Sequence, residues 1–118
     1  MKKYLKIKKN GVDICEKCEY ANTAFSRFMG LMFRKSIPKT NGLLLEPCNQ
    51  IHTFNMRFSI DVIFMDSKNT VLDIFKDVKP WRVRPFVKNA KKCLELNSGM
   101  ADNFSLSAGD ILDINVIK

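Results

Sequence analysis

Apolar and polar positions alternate with a period near two over much of the chain, the pattern of half-buried strands. Tyr4, Leu5 and Ile7 stand among the lysines of residues 3–9, and Val12 and Ile14 alternate with Asp13 and Cys15 over residues 12–18. Asn10-Gly11 lies between the two runs, so they predict an N-terminal hairpin with a tight turn. The period then changes. Phe25, Phe28, Met29 and Met32 recur at helical spacing after Asn22 or Thr23, either of which can cap a helix. The spacing predicts a helix whose apolar face packs on the sheet. Arg27 and Arg34 share its other side, and Pro38 ends it.

Beyond the helix the strands resume. Gly42 to Glu46 is short and apolar and stops at Pro47. Ile60 to Met65 is almost wholly apolar, which predicts a central strand buried on both faces, with Ile60, Val62 and Phe64 on one side and Ile63 and Met65 on the other. Asn69 turns the chain into a second hairpin arm over residues 70–78. Residues 79–86 carry Pro80 and Pro85 and predict an extended loop. A strand over residues 90–96, a Ser98-Gly99 turn, a helical turn over residues 99–105 and a last strand over residues 111–117 complete the chain. Six to eight short strands and one clear helix predict a mainly β (α+β) fold. It would be a small two-sheet antiparallel sandwich or a half-open barrel, with one helix closing an end. No linker, repeat or low-complexity tract divides residues 1–118, so a single domain is expected.

Composition narrows the function classes. Apolar residues make up 46% of 118, enough for a packed core, and no apolar run could span a bilayer. The basic N-terminus lacks the apolar stretch of a signal peptide, which predicts a cytoplasmic protein with four reduced cysteines. The net charge is +8. One basic run is Lys2, Lys3, Lys6, Lys8 and Lys9. The other is Lys76, Lys79, Arg82, Arg84, Lys88, Lys91 and Lys92, and residues 95–117 are acidic. Such runs attract phosphate backbones without specificity, or they keep strand edges soluble. The solubility reading is preferred, which disfavours nucleic acid as a partner.

The stretch from Cys48 to Asp66, CNQIHTFNMRFSIDVIFMD, concentrates the candidate chemistry. It holds the only histidine, His52. Cys48, His52 and Asp61 supply the residue types of a cysteine hydrolase, although no nucleophile elbow is evident at Cys48. Cys15-x-x-Cys18, with Cys48 or His52, has the residue types of a zinc site. Residues three apart on a regular strand face opposite ways, however, so no metal is assigned. A thioredoxin-like pair lacks the βαβ pattern that should follow it. His52 is alternatively a structural ring with one satisfied nitrogen. Trp81, between Pro80 and Arg82, either stacks on a ligand or plugs its loop onto the sheet.

Three segments together resemble a known family: RFMGLMFRKSIP (residues 27–38), the Cys48–Asp66 stretch, and LELNSGM with SAGDIL (residues 94–100 and 107–112). In this order and spacing they are similar to the prokaryotic family called domain of unknown function 192. The resemblance implies a compact, mainly β domain. It marks Gly30, Leu31, Arg34, His52, Thr53, Met56, Asp61, Asp66, Glu95, Gly99 and Asp110 as family positions without assigning roles. Ser59 stands where the family usually has Pro, and Cys15 and Cys18 lie outside the shared core.

The reading that combines these features is a small binding domain. Arg27 and Arg34 from the helix, His52, Thr53 and Met56 from the central loop, Asp61 and Trp81 would form a pocket near His52. Its ligand would be small and anionic or polar, or a peptide segment of a partner protein, because an arginine fork suits carboxylate or phosphate. No cofactor is assigned and no membrane partner is expected. The alternatives are a hydrolase using Cys48 and His52, and weak nucleic-acid binding through the basic surface.

Overall fold

The computed structural model describes residues 3–117, so Lys2 of the first basic run lies outside the described residues. The elements, in order, are β1 (Tyr4–Lys9), β2 (Val12–Ala21), α1 (Ala24–Met29), β3 (Asn41–Leu45), β4 (Ile60–Met65), β5 (Val71–Val78), β6 (Lys92–Asn97), α2 (Met100–Asn103) and β7 (Asp113–Val116). The strands form one seven-stranded sheet, ordered β5-β4-β6-β3-β2-β1-β7. This corrects the two facing sheets of the expected sandwich; as to the half-open barrel, the sheet has an open strand order, with one isolated bridge, Thr70–Ile111, between the stretches that lead into its two edge strands. The sheet is also mixed, because β2 and β3 run parallel across the α1 connection. The mainly β class is as expected.

The turn chemistry acts where it was placed. Asn10 and Gly11 both take positive φ between β1 and β2, the requirement of a two-residue hairpin turn. Within β2 the pairing slips. Leu5 faces Cys18 and Ile7 faces Cys15, so Glu16 and Lys17 together oppose Lys6. This bulge breaks the period of two and brings Cys15 and Cys18 into the same core cluster. The expectation that the two cysteines point apart is thereby corrected.

Strand β4 is buried throughout. Ile60, Val62 and Phe64 pack with Leu43, Leu45 and Cys93 on one face of the sheet. Ile63 and Met65 pack with Leu44, Leu94, Met100 and Ala101 on the other. Asp61 shares that second face and is 1% exposed. Its carboxylate accepts hydrogen bonds from the backbone N–H groups of Asp77 (2.9 Å), Gly99 (3.1 Å) and Ala101 (2.9 Å), which ties β4 to the end of β5 and to the start of α2.

Helix α1 departs most from expectation. Its N-terminus is a capping box between Thr23 and Ser26, but it ends at Met29, well short of Pro38, because Gly30 turns at φ 47°. No residue within it is buried. Phe25 and Phe28 are 65% and 63% exposed, and of the predicted apolar face only Met32, beyond the helix, reaches the core. Six residues cannot hold a helix by propensity, so this one depends on its cap and the chain that follows.

The two phenylalanines Phe64 and Phe28 should therefore separate cleanly. Phe64→Ala removes a fully buried ring and is expected to cost about 3–5 kcal/mol. Phe28→Ala is expected to stay within about 0.5 kcal/mol of the parent. Urea midpoints would measure both, and an equally large loss at Phe28 would mean that the helix is docked through its aromatic face.

Candidate functional site

The segments that cover the Ile60, Val62 and Phe64 face of the sheet do not close over it completely. They leave an open cavity of about 380 Å³ between α1 with residues 30–32, the chain from Leu45 to His52, Met56 and the strand β6. Its floor is Glu95. In β6 the side chains of Cys93 and Glu95 face this way while Leu94 and Leu96 face the other core. Glu95 pairs across the sheet with Leu43 on one side and Val62 on the other, so its carboxyl has apolar neighbours in both directions. It is 3% exposed, and its Oε1 has no hydrogen-bond partner among the described residues. Burial, reinforced by the negative charge available at Cys48 and opposed by Arg34, pushes the Glu95 carboxyl up to about 8. At neutral pH it is chiefly a carboxylic acid with a proton to donate.

Further polar groups line the wall. Cys48 is half-buried, and its thiol donates to the Gln50 carbonyl at 3.3 Å. The neighbouring Cys93 thiol, together with Arg27, holds Cys48 below the usual thiol range, against the effect of burial. Cys93 itself is fully buried, and burial pushes it well up. Arg27 reaches from α1 to donate to the Pro47 carbonyl at 3.2 Å, while its Nε is buried without a hydrogen-bond partner. His52 sits at the mouth. Its Nδ1 accepts from the Phe54 N–H at 3.2 Å, which leaves the neutral ring's proton on Nε2. Its ring stacks on Phe54 at 5.1 Å and lies 6.2 Å from Phe28. Asn49 and Gln50 complete the polar part of the lining, and the rest is apolar, including Leu31, Leu45, Ile51 and Met56.

Of the residues predicted from sequence, Arg27, His52 and Met56 line this cavity. Thr53 lies behind it and is fully buried. Its Oγ1 donates to the Lys79 carbonyl (2.7 Å) and accepts from the Arg82 N–H (2.8 Å), while its carbonyl accepts from the Trp81 N–H (2.9 Å). Thr53, and not a buried indole, pins the 79–84 loop. Trp81 is 60% exposed, which corrects its reading as a plug. Arg34 is engaged with both carboxylate oxygens of Glu19, at 2.5 and 3.0 Å, and lines a separate hollow with Tyr20 and Phe25. Asp61 belongs to the opposite face of the sheet. Hence His52, Arg34 and Asp61 do not converge, and Cys48, His52 and Asp61 form no triad. The acidic tail meets the basic runs, through Lys76–Asp102 at 2.6 Å and Lys9–Asp110 at 3.0 Å.

The residue that sequence reasoning left without a role is Glu95. A signal for it existed: an acid at an interior position of a strand whose both alternating sets, Cys93 and Glu95 against Leu94 and Leu96, read as buried.

The family model described as DUF192, an uncharacterized ACR, matches residues 5–114, so Cys15 and Cys18 lie within the matched span, which corrects their placement outside the shared core. A UPF0127 protein of Pyrococcus furiosus is 34% identical over 110 residues, covering 89% of this chain and 92% of the relative. A UPF0127 protein of Thermococcus sibiricus is 36% identical over 100 residues, covering 81% of this chain and 64% of that one, so the chain spans just under two thirds of it. Among solved structures, a protein of unknown function from Novosphingobium aromaticivorans superposes with a TM-score of 0.82 at 22% identity, over 93% of this chain and 83% of that one. At this identity the likeness speaks to the fold alone.

The electrostatics of Glu95 give a test. Between the unfolded value near 4.5 and the folded value of about 8, the native state keeps a proton that the unfolded chain has lost. Stability from this group is therefore complete below the lower value and declines as pH rises, by about 1.4 kcal/mol per pH unit across the window. Glu95→Gln should match the parent near pH 4.5 and become progressively more stable than it up to pH 8. Parallel denaturant-unfolding curves for the two proteins over that range would mean that the carboxyl is solvated.

Proposed function

The chain belongs to the DUF192 family, and from its cavity we propose that it is a small-ligand-binding domain that takes a compact molecule with an apolar body and an anionic or polar head. The supporting observation is the buried Glu95 carboxyl, whose Oε1 faces an open cavity without a partner. A buried polar group left unpaired costs about 1–3 kcal/mol, and a ligand oxygen that accepts from it recovers that cost. A carboxylate head also suits Arg27, whose Nε is unpaired at the same wall. The anion holds the Glu95 proton in place, because a second negative charge beside it disfavours ionisation. Leu31, Leu45, Ile51 and Met56 would bury the body of the ligand. The four free thiols fit a reducing compartment such as the cytoplasm.

One observation favours a second occupant for the same cavity. The rings of Phe28, His52, Phe54 and Trp81 succeed one another at 6.2, 5.1 and 6.0 Å and lead away from the mouth. A partner peptide could place its C-terminal carboxylate in the cavity and lay its last residues over these rings. A free carboxyl terminus would then bind and its amide would not.

A series of straight-chain monocarboxylates provides the direct test by thermal shift and calorimetry. At one hundred times Kd a fitting member is expected to stabilise the fold by about 2.7 kcal/mol. Arg27→Met should weaken it roughly tenfold or more, the worth of one charge-assisted hydrogen bond. Affinity should fall as pH rises past 8, where Glu95 ionises. Failure of every chain length, with peptide carboxylates also inert, would refute the reading.

A further inference from the structure

One of the four thiols lines the cavity, a second lies behind its wall, and ligand binding requires neither. Cys48 is half-buried on the wall, and Cys93 is fully buried on β6, on the same face as Glu95 two residues along. Leu45 pairs with Cys93, and the Cys48 N–H donates to the Lys91 carbonyl at 3.0 Å. This draws the chain after β3 back across the start of β6, and Cys48 packs against the core cluster that holds Cys93, so that each thiol perturbs the other's proton. An accessible thiol, a buried carboxylic acid and a guanidinium thus share one cavity, with a second, fully buried thiol behind its wall.

We propose that Cys48 reduces small organic hydroperoxides, with Cys93 as the resolving thiol and Glu95 as the proton donor. The proposal rests on the cavity admitting a ligand with an apolar body, as above. The Cys48 thiolate, the nucleophilic form, attacks the terminal oxygen of R–O–OH. The S–O bond forms as the O–O bond breaks. Sulfur is oxidised to a sulfenic acid, the peroxide is reduced, and the departing alkoxide takes the proton of Glu95 to leave as the alcohol ROH. The Cys93 sulfur then attacks the sulfenic sulfur. The S–S bond forms and the hydroxyl leaves with the Cys93 proton as water. An external dithiol returns both cysteines to thiols, and Glu95 regains its proton from solvent. Arg27 stabilises the thiolate before attack. Cys93, kept protonated by its burial, holds its thiol in reserve until the sulfenic acid exists.

The test exposes the reduced, full-length protein to cumene hydroperoxide in a stopped-flow mixer and maps the products by mass spectrometry. Cys48 is expected to oxidise about a hundredfold faster than free cysteine at the same pH, the lower end of what a positioned proton donor contributes. The parent should yield a Cys48–Cys93 disulfide. Cys93→Ser should yield a Cys48 sulfenic acid trapped by dimedone, and Glu95→Gln should slow the reaction at least tenfold while keeping its fold. Oxidation of Cys48 no faster than free cysteine, or a disulfide formed first between Cys15 and Cys18, would overturn the proposal. If carboxylates still raise the melting temperature of that preparation, peroxide reduction alone has failed. If they do not, the binding reading has failed with it.

Discussion

The central strands of this sheet bury both faces, and the chain has little helix with which to cover them. Strand β4 is buried at all six positions and β6 at its four interior ones, whereas the two helices are six and four residues long. Irregular chain must do the work that helices do in most mixed sheets, and its backbone groups must still find partners. They do so by pairing loop with loop. The Thr53 N–H donates to the Arg82 carbonyl, the Arg84 N–H to Ile51, and the Val87 N–H to Asn49. This irregular ladder holds residues 49–53 and 82–87 as a lid over the Val62 and Phe64 face. The cavity is where the lid, α1 and the chain leaving β3 fail to meet.

What was legible in the chain follows from the range of the forces concerned. Tight turns and fully buried strands are encoded locally, so Asn10-Gly11 and the two-sided split of Ile60 to Met65 were readable from spacing alone. The helix was misread because Phe25, Phe28 and Met32 have helical spacing, yet Gly30 ends the helix between them and leaves Phe25 and Phe28 largely exposed. The cysteine pair was misread because a bulge leaves no mark in a period-two pattern. At the site, His52, Met56 and Arg27 were visible as residue types clustered near an apolar strand. Arg34 and Asp61 were drawn in by the same logic and proved to be held elsewhere, by Glu19 and by three backbone N–H groups. Which charged group meets which is a long-range fact, set by sheet order, and no local pattern carries it. Glu95 was readable only by asking what an acid does in a strand with no exposed face.

The cavity's polar groups act on one another rather than singly. A charge on Cys48 makes ionisation of Glu95 harder, and a charge on Glu95 does the same for the Cys93 thiol. Arg27 offers the compensating positive charge at the wall, and Arg34 acts on Glu95 from farther off. The cavity therefore accommodates one negative charge at low cost and a second only at high cost, so its titrations belong to the group as a whole. A thiolate and an ionised Glu95 compete for the same compensating charge, and the carboxylate proposed as ligand would compete with both.

The unequal covering of the two faces also bears on motion. On the Ile63 and Met65 side, Asp61 clamps α2 directly onto the central strand. On the Val62 side, the cover is loop held by Thr53, by backbone contacts and by a few buried apolar side chains such as Ile51 and Met56. Segments with few buried apolar contacts open at lower free energy than the sheet they rest on. Amide hydrogens of residues 49–56 and 79–89 should therefore exchange with solvent well before those of β4 and β6. Such breathing would uncover Glu95 and Cys93 without unfolding the sheet. The chain would thus have two distinct stabilities, one for the β scaffold and a lower one for the lid, and the lower would govern how quickly a molecule enters or leaves.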